Sequence, residues 1–167
     1  DELAKRFHAQ EDELEQEIYA YAGEEFNIKS TKQIARILFE VLNLPTKGIK
    51  KTPTGNISTK ESELAKLAGE HKIIDCILEY RELTKLTSTY LDNIKPLINT
   101  STNRLQTTFV QTGTTTGRMS SRDPNLQNIP HGGTYGKEIR TMFVPQTGYR
   151  FLSCDYSQIE LRIAAQL

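Results

Sequence analysis

The residues best suited to chemistry lie in Phe151-Leu-Ser-Cys-Asp155-Tyr-Ser-Gln-Ile-Glu160-Leu-Arg162. An apolar run ends in an aspartate, and a helical pattern starts two or three residues later. This predicts a carboxylate at a strand tip, a common place for a hard-cation ligand. The amides of Ser157 and Gln158 open the predicted helix and can face an anion. A metal ion beside a phosphate is what nucleotidyl transfer needs. The same spacing suits a helix cap or an aspartyl-phosphate enzyme, so it leaves three readings open. Glu160, taken alone, reads equally as an exposed helix carboxylate.

A second concentration of polar chemistry lies upstream. From residue 99 to residue 150 there are six bases (Arg104, Arg118, Arg122, Lys137, Arg140, Arg150) and two acids (Asp123, Glu138). A basic stretch rich in Asn, Gln and Thr is compatible with a phosphate-bearing partner, and also with a solvated surface. The net charge of +0 conceals this polarity. Residues 1–25 hold nine acids and two bases, a sum of −7, so the remainder carries +7.

The elements that must position these residues fall into two parts. Leu3, Phe7, Leu14, Ile18 and Tyr21 recur at helical spacing, with Gly23 near the end of that helix. Ser30 and Gln33 form a capping box for a helix carrying Ile34, Ile37, Leu38, Val41 and Leu42, which stops before Pro45. Thr46 to Asn56 is a loop exposing Lys47, Lys50 and Lys51. Ser58 and Glu61 form a second capping box for a short helix through Ala68. A longer helix runs from about Ile73 to Leu91. His8 and His71 read as surface residues.

After Pro96 the pattern turns toward strands at Arg104–Gln111, Arg140–Val144 and Arg150–Asp155. Thr112 to Tyr135 is a long loop punctuated by Gly and Pro, of a length that usually binds something. Gln158 to Leu167 is helical again, with Ile159, Ile163 and Leu167 on one face. The expected fold class is α+β: a helical part, then short antiparallel strands and a truncated C-terminal helix.

Among 167 residues, 37% hydrophobic, no apolar run approaches the roughly 20 residues of a membrane helix. The first residues show no basic-then-apolar pattern with a small-residue cleavage site, so a secretory signal is not expected within the residues given. Cys76 and Cys154 lack a partner at metal or disulfide-framework spacing, so a zinc site is not expected and a reducing compartment fits.

Asp155-Tyr-Ser-Gln-Ile-Glu-Leu-Arg162 resembles motif A of the family A DNA polymerases, the DNA polymerase I family. Thr116-Gly-Arg-Met-Ser-Ser-Arg-Asp-Pro-Asn-Leu-Gln-Asn-Ile-Pro130 is similar to the TGRLSSxxPNLQNIP segment of the same family. Tyr80-Arg-Glu-Leu-Thr-Lys-Leu-Thr-Ser-Thr-Tyr90 resembles its long thumb helix. A fourth match runs from Asn27-Ile-Lys-Ser to Leu42-Asn-Leu-Pro45. These matches stand in the family's order, cover essentially the whole chain and are closest to its bacterial members.

The resemblance implies a helical thumb over residues 1–96 and the first part of a palm over residues 97–167, a fragment of a larger polymerase domain. It implies a parent that extends a primer on template–primer DNA from dNTPs with two Mg²⁺ ions. Asp155 is implied to bind both ions and the Tyr156 carbonyl to add a ligand, with Ser157, Gln158, Ile159 and Glu160 around the dNTP. Glu160 is implied to exclude a ribose 2′-OH by occupying its space. Arg118 is implied to probe the minor groove near the primer terminus, where every correct pair presents an acceptor. Asn125, Gln127 and Asn128 are implied to contact the duplex, and Lys85, Ser88 and Thr89 to face its phosphates. Lys47, Lys50 and Lys51 could touch the duplex or simply be solvated. The sequence departs from many relatives at Thr87 and Gly132, each of which replaces a basic residue, and His131 could substitute in part when protonated. The resemblance further implies a monomer of the bacterial cytoplasm, associated with the nucleoid. The family's second catalytic aspartate and its fingers helix match nothing in these residues, so this chain alone is not expected to polymerise. A DNA-binding module without catalysis is the alternative.

Overall fold

The computed structural model describes residues 2–133 and 135–166. Helix α1 (Glu2–Ala22) opens the chain and stops at Gly23, whose φ of +76° suits a residue without a side chain. Helix α2 (Thr31–Arg36) begins at Ser30, whose hydroxyl accepts from the Gln33 amide at 3.4 Å. The Gln33 side chain accepts from the Asn27 amide at 2.7 Å, so the expected reciprocal box closes three residues further back. A π-helical turn, Ile37–Val41, continues α2.

Helix α3 (Glu61–Leu64) leads into a 3₁₀ turn, Ala65–Leu67. The second expected capping box does not form. Lys60 is the N-cap, and Ser58 accepts instead from the Lys60 amide at 3.3 Å. Buried Glu63 does the organising here. Its carboxylate accepts from Lys66 Nζ at 2.6 Å and from the Lys50 amide at 2.9 Å, tying the lysine-bearing loop to α3. The Lys66 bond, then the Lys50 amide, holds this carboxyl below its ordinary pKa.

Helix α4 (Lys72–Leu86) starts at His71, whose Nδ1 accepts from the Ile73 amide at 3.1 Å. His71 is therefore a half-buried cap rather than a free surface residue. The helix continues as a π-helical stretch, Thr87–Asp92. The Thr87 and Ser88 hydroxyls donate back to the carbonyls of Leu83 and Thr84 at 3.0 and 2.8 Å, a bonding mode that loosens the helical ladder. Thr87 is buried, so this position faces the interior.

Helices α1 and α4 run antiparallel, as the contacts Glu17–Cys76 and His8–Asp92 require. Two apolar clusters lie along them. One joins Ile18, Phe26, Ile34, Leu38, Leu64, Ile74 and Ile77. The other joins Phe7, Leu83, Leu86, Tyr90 and Ile94 to Tyr135 and Ile139 from the second part of the chain. Each fully buried Ile, Leu or Phe stabilises the fold by about 1.5–3 kcal/mol.

The second part carries two antiparallel pairs: β1 (Ile98–Asn99) with β2 (Arg104–Leu105), and β3 (Thr108–Val110) with β4 (Ser120–Arg122). The molecule is thus α+β, with short antiparallel strands. Four expected features of this part differ in the structure. Arg104–Gln111 is two strands belonging to different pairs. The long loop contains β4, which closes a hairpin on β3. Arg140–Val144 is not a strand, because helix α5 (Gly136–Thr141) takes its first two residues and the rest is turn and irregular chain. Its spacing explains this: Tyr135 and Ile139, four apart, both bury against the Phe7–Leu83 cluster, a helical period.

Arg150–Asp155 has no regular structure, and Phe151 and Leu152 are exposed. A strand persists only with a hydrogen-bonded neighbour and a covered face, and among the described residues this segment has neither. Helix α6 (Ile159–Ala164) follows; Leu167, placed on its face by the pattern, lies outside the described residues. No helix among the described residues is long and apolar enough to cross a membrane.

Candidate functional site

Lys85, Ser88 and Thr89 are all exposed, and spacings of three and four residues put them on one face where α4 becomes π-helical. The Ser88 hydroxyl hydrogen is spent within the helix, so contact with an external phosphate requires it to rotate away from Thr84. Beside this face, the buried Tyr90 hydroxyl donates to the carbonyl of Asn128. Tyr90 docks the Asn125–Pro130 turn on the helix, a role that its place in the motif does not reveal. Tyr135 repeats the device. Its hydroxyl donates to Glu79 and accepts from Gln10, and its ring meets Phe7 edge-on at 5.2 Å. Burial, reinforced by Glu79, pushes its phenol up to about 12. The helical spacing of Tyr135 and Ile139 was the signal that could have found it.

The turn itself is organised by its own amides. Asn125 Oδ1 accepts from the Ser121 hydroxyl at 3.1 Å and from the Gln127 amide at 3.0 Å. Buried Ser121 accepts from the Leu126 amide at 3.0 Å. Gln127 Nε2 donates to the Met119 carbonyl at 3.1 Å. Asn125 and Gln127 therefore build the turn, while Asn128 leaves its side chain exposed. His131 Nδ1 lies 3.0 Å from Arg140 Nη1, which brings a guanidinium beside the segment where Gly132 lacks one.

Arg118 sits between two tethers. Its own carbonyl accepts from the Thr114 hydroxyl at 2.6 Å, and the next carbonyl is held by Gln127. Its guanidinium Nη2 lies 3.4 Å from Glu160 Oε1, across 42 residues of sequence. Contacts thus run from α4 through Tyr90–Asn128, Gln127–Met119 and Arg118–Glu160 to the first turn of α6.

Asp155, Tyr156, Ser157 and Gln158 lie on an exposed stretch ahead of α6. Gln158 enters the helix with φ +56°, and Arg162 Nε donates to the Ser157 carbonyl at 2.8 Å. Ile159 is less exposed than its neighbours Tyr156 and Leu161. Among the described residues no three of His, Cys, Asp and Glu gather into a metal site. One carboxylate and one carbonyl, from Asp155 and Tyr156, fall short of the ligand set that a pair of hard cations requires, so these residues do not hold two ions by themselves.

The model of DNA polymerase family A matches residues 1–167. The chain is 53% identical over 154 residues to DNA polymerase I of Caldicellulosiruptor bescii, covering 92% of this chain and 18% of that protein. It is 47% identical over 165 residues to the thermostable DNA polymerase I of Thermus thermophilus, covering 99% of this chain and 20% of that protein. The POL domain of Pol1 from M. smegmatis, solved in complex with DNA primer-template and dNTP, superposes with a TM-score of 0.83 at 36% identity. That superposition covers 98% of this chain and 29% of the other. The chain therefore spans about one-fifth of the length of these curated relatives, and over its whole length it belongs to DNA polymerase family A.

Proposed function

We propose that this chain is the thumb and first part of the palm of a DNA-directed DNA polymerase, with residues 1–96 and 97–167 in those two roles. The parent transfers nucleotides from dNTPs to a primer 3′-OH on template–primer DNA, in replication and repair. The observation that carries this reading is the run of contacts from Tyr90, on the helix that bears Lys85, Ser88 and Thr89, to Asn128, from Gln127 to Met119 and from Arg118 to Glu160, because it ties the elements bearing groups assigned to the duplex to the one bearing the group assigned to the incoming sugar. Lys85, Ser88 and Thr89 meet phosphates, which fixes register without reading sequence. Arg118 donates to minor-groove acceptors, and Asn128 contacts the duplex from the turn that Asn125 and Gln127 shape.

Asp155 and the Tyr156 carbonyl are this chain's share of the Mg²⁺ ligands. Ser157, Gln158 and Ile159 border the triphosphate, and Glu160 crowds the sugar so that a 2′-OH does not fit. The parent acts as a monomer in the bacterial cytoplasm, at the nucleoid.

Two measurements test this. The purified chain, given primed template, dNTPs and Mg²⁺, adds no nucleotide; extension that Asp155→Ala abolishes would show a complete active site within these residues. The chain binds duplex weakly and without sequence preference, with log K falling linearly against log salt because phosphate contacts release counterions. Lys85→Glu lowers the affinity and flattens the slope. Binding indifferent to salt, or selective for one sequence, contradicts the duplex-grip assignment.

A further inference from the structure

Arg118 and Glu160 have been given separate tasks, one at the primer terminus and one at the incoming sugar, yet their side chains meet at 3.4 Å. Both groups are well exposed, at 79% and 76%, so nothing in the packing forces the contact. Each is supported from behind. The backbone around Arg118 is tethered by Thr114 and Gln127, and Glu160 rises from the first turn of α6, beside the Arg162–Ser157 bond. Two independently anchored groups therefore bring opposite charges together across an open space.

We infer that Arg118 is a positioning residue for Glu160, so that the group at the primer terminus also sets how strictly the ribose of the incoming nucleotide is refused. This rests on the sugar-gate reading of Glu160 and extends it. A carboxylate excludes a 2′-OH only while it stays in the space that the hydroxyl needs. A free glutamate side chain has several rotamers, and some of them vacate that space. The guanidinium restricts Glu160 to those that reach Arg118. In water such a pair is weak and screened by salt. A nucleotide seated beside it displaces water, lowers the local dielectric and strengthens the pair when selection occurs. The contact uses one guanidinium nitrogen, so it needs a donor and a charge rather than the two-pronged arginine fork.

The test uses the intact polymerase that contains this segment. The readout is the ratio of kcat/KM for a matched deoxy- and ribonucleotide. This ratio cancels any loss common to both sugars, including impaired primer binding by Arg118 variants. Glu160→Ala lowers the deoxy/ribo ratio steeply. Arg118→Ala lowers it by about threefold, in the range of a weak ion pair. The double variant falls no further than Glu160→Ala, because Arg118 acts only through that carboxylate. Arg118→Lys recovers most of the loss and keeps the question answerable if Arg118→Ala extends too slowly to measure. If Glu160→Ala lowers the ratio while Arg118→Ala leaves it unchanged, or the two losses multiply in the double variant, the positioning role is wrong and the sugar gate stands. If Glu160→Ala leaves the ratio unchanged, the gate itself is wrong and the positioning role falls with it.

Discussion

Leu83 and Leu152 are the same side chain in opposite circumstances. Leu83 is 0% exposed, packed with Phe7, Leu86 and Ile139 between α1, α4 and α5, whereas Leu152 is 88% exposed in a stretch without regular structure. Around Leu83, apolar side chains at helical spacing cover one another, and the Tyr90 and Tyr135 hydroxyls bind the Asn128 carbonyl and Glu79. Around Leu152, equally apolar residues such as Phe151, Val144 and Tyr149 cover nothing. Yet the second region carries Asp155 and Glu160. Folding free energy is concentrated in the helices, while the groups assigned to the reacting nucleotide stand on a segment that contributes little to it. Strand-forming residues become a strand only when a neighbour supplies hydrogen bonds and a covered face.

The sharpest way to break this comparison is to mutate the exposed region and look for its effect in activity rather than in stability. In the intact polymerase, Asp155→Ala lowers kcat by about three orders of magnitude, the scale expected when a ligand shared by catalytic ions is lost. In this chain the same change leaves the thermal midpoint nearly unaltered, because the residue is exposed. Steady-state kinetics and a melting curve check the two halves of the statement. A large fall in the midpoint would place Asp155 on the structural side.

The converse test uses the two leucines. Leu83→Ala destabilises the chain by about 2–5 kcal/mol, as a cavity in a packed cluster does. Leu152→Ala changes stability by less than about 0.5 kcal/mol. Urea denaturation of both variants measures the difference. Equal effects would mean that residues 150–155 are packed after all.

The smallest expected effect sharpens the role of Tyr135, which brings the second part of the chain onto the helices. Its phenol ordinarily titrates near 10 and is pushed up to about 12 in the fold, first by burial and then by Glu79. Its contribution to stability is complete below pH 10. It is lost as pH rises toward 12, because the unfolded chain can release this proton where the folded chain cannot. Tyr19, pushed up to about 12, and Cys76, pushed up to about 11, add to the same decline. The readout is therefore a difference: between pH 10 and 12 the midpoint of Tyr135→Phe falls less steeply than that of the unchanged chain. Parallel slopes would show that the phenol stays solvated.

How much of this was visible beforehand depended on the range of the interaction involved. Helix α1 follows from Leu3, Phe7, Leu14 and Ile18, and the Ser30 cap from a hydroxyl three residues ahead of a glutamine, since both are settled within a turn or two of chain. The region around Lys60 misled because Ser58 and Glu61 match a capping box in type. Glu63, two residues further on, instead became the buried carboxylate, recruiting Lys66 and the Lys50 amide. Arg140–Val144 looked like a strand by composition, although the four-residue step from Tyr135 to Ile139 already marked a helix. Arg150–Asp155 did have strand composition, and composition does not supply a partner.

The helical periodicities, the ordered polymerase-like motifs and the chemical types available at Arg118, Asp155 and Glu160 are legible in the amino acids alone, because these depend on residue identity and short spacing. That Thr87 turns inward, that Tyr90 holds Asn128 and that Arg118 meets Glu160 across 42 residues emerges from the packed fold. Such contacts join segments whose separation along the chain carries no period. They arise only once α1, α4 and the β3–β4 hairpin are packed, which fixes the distances between side chains that local spacing leaves free.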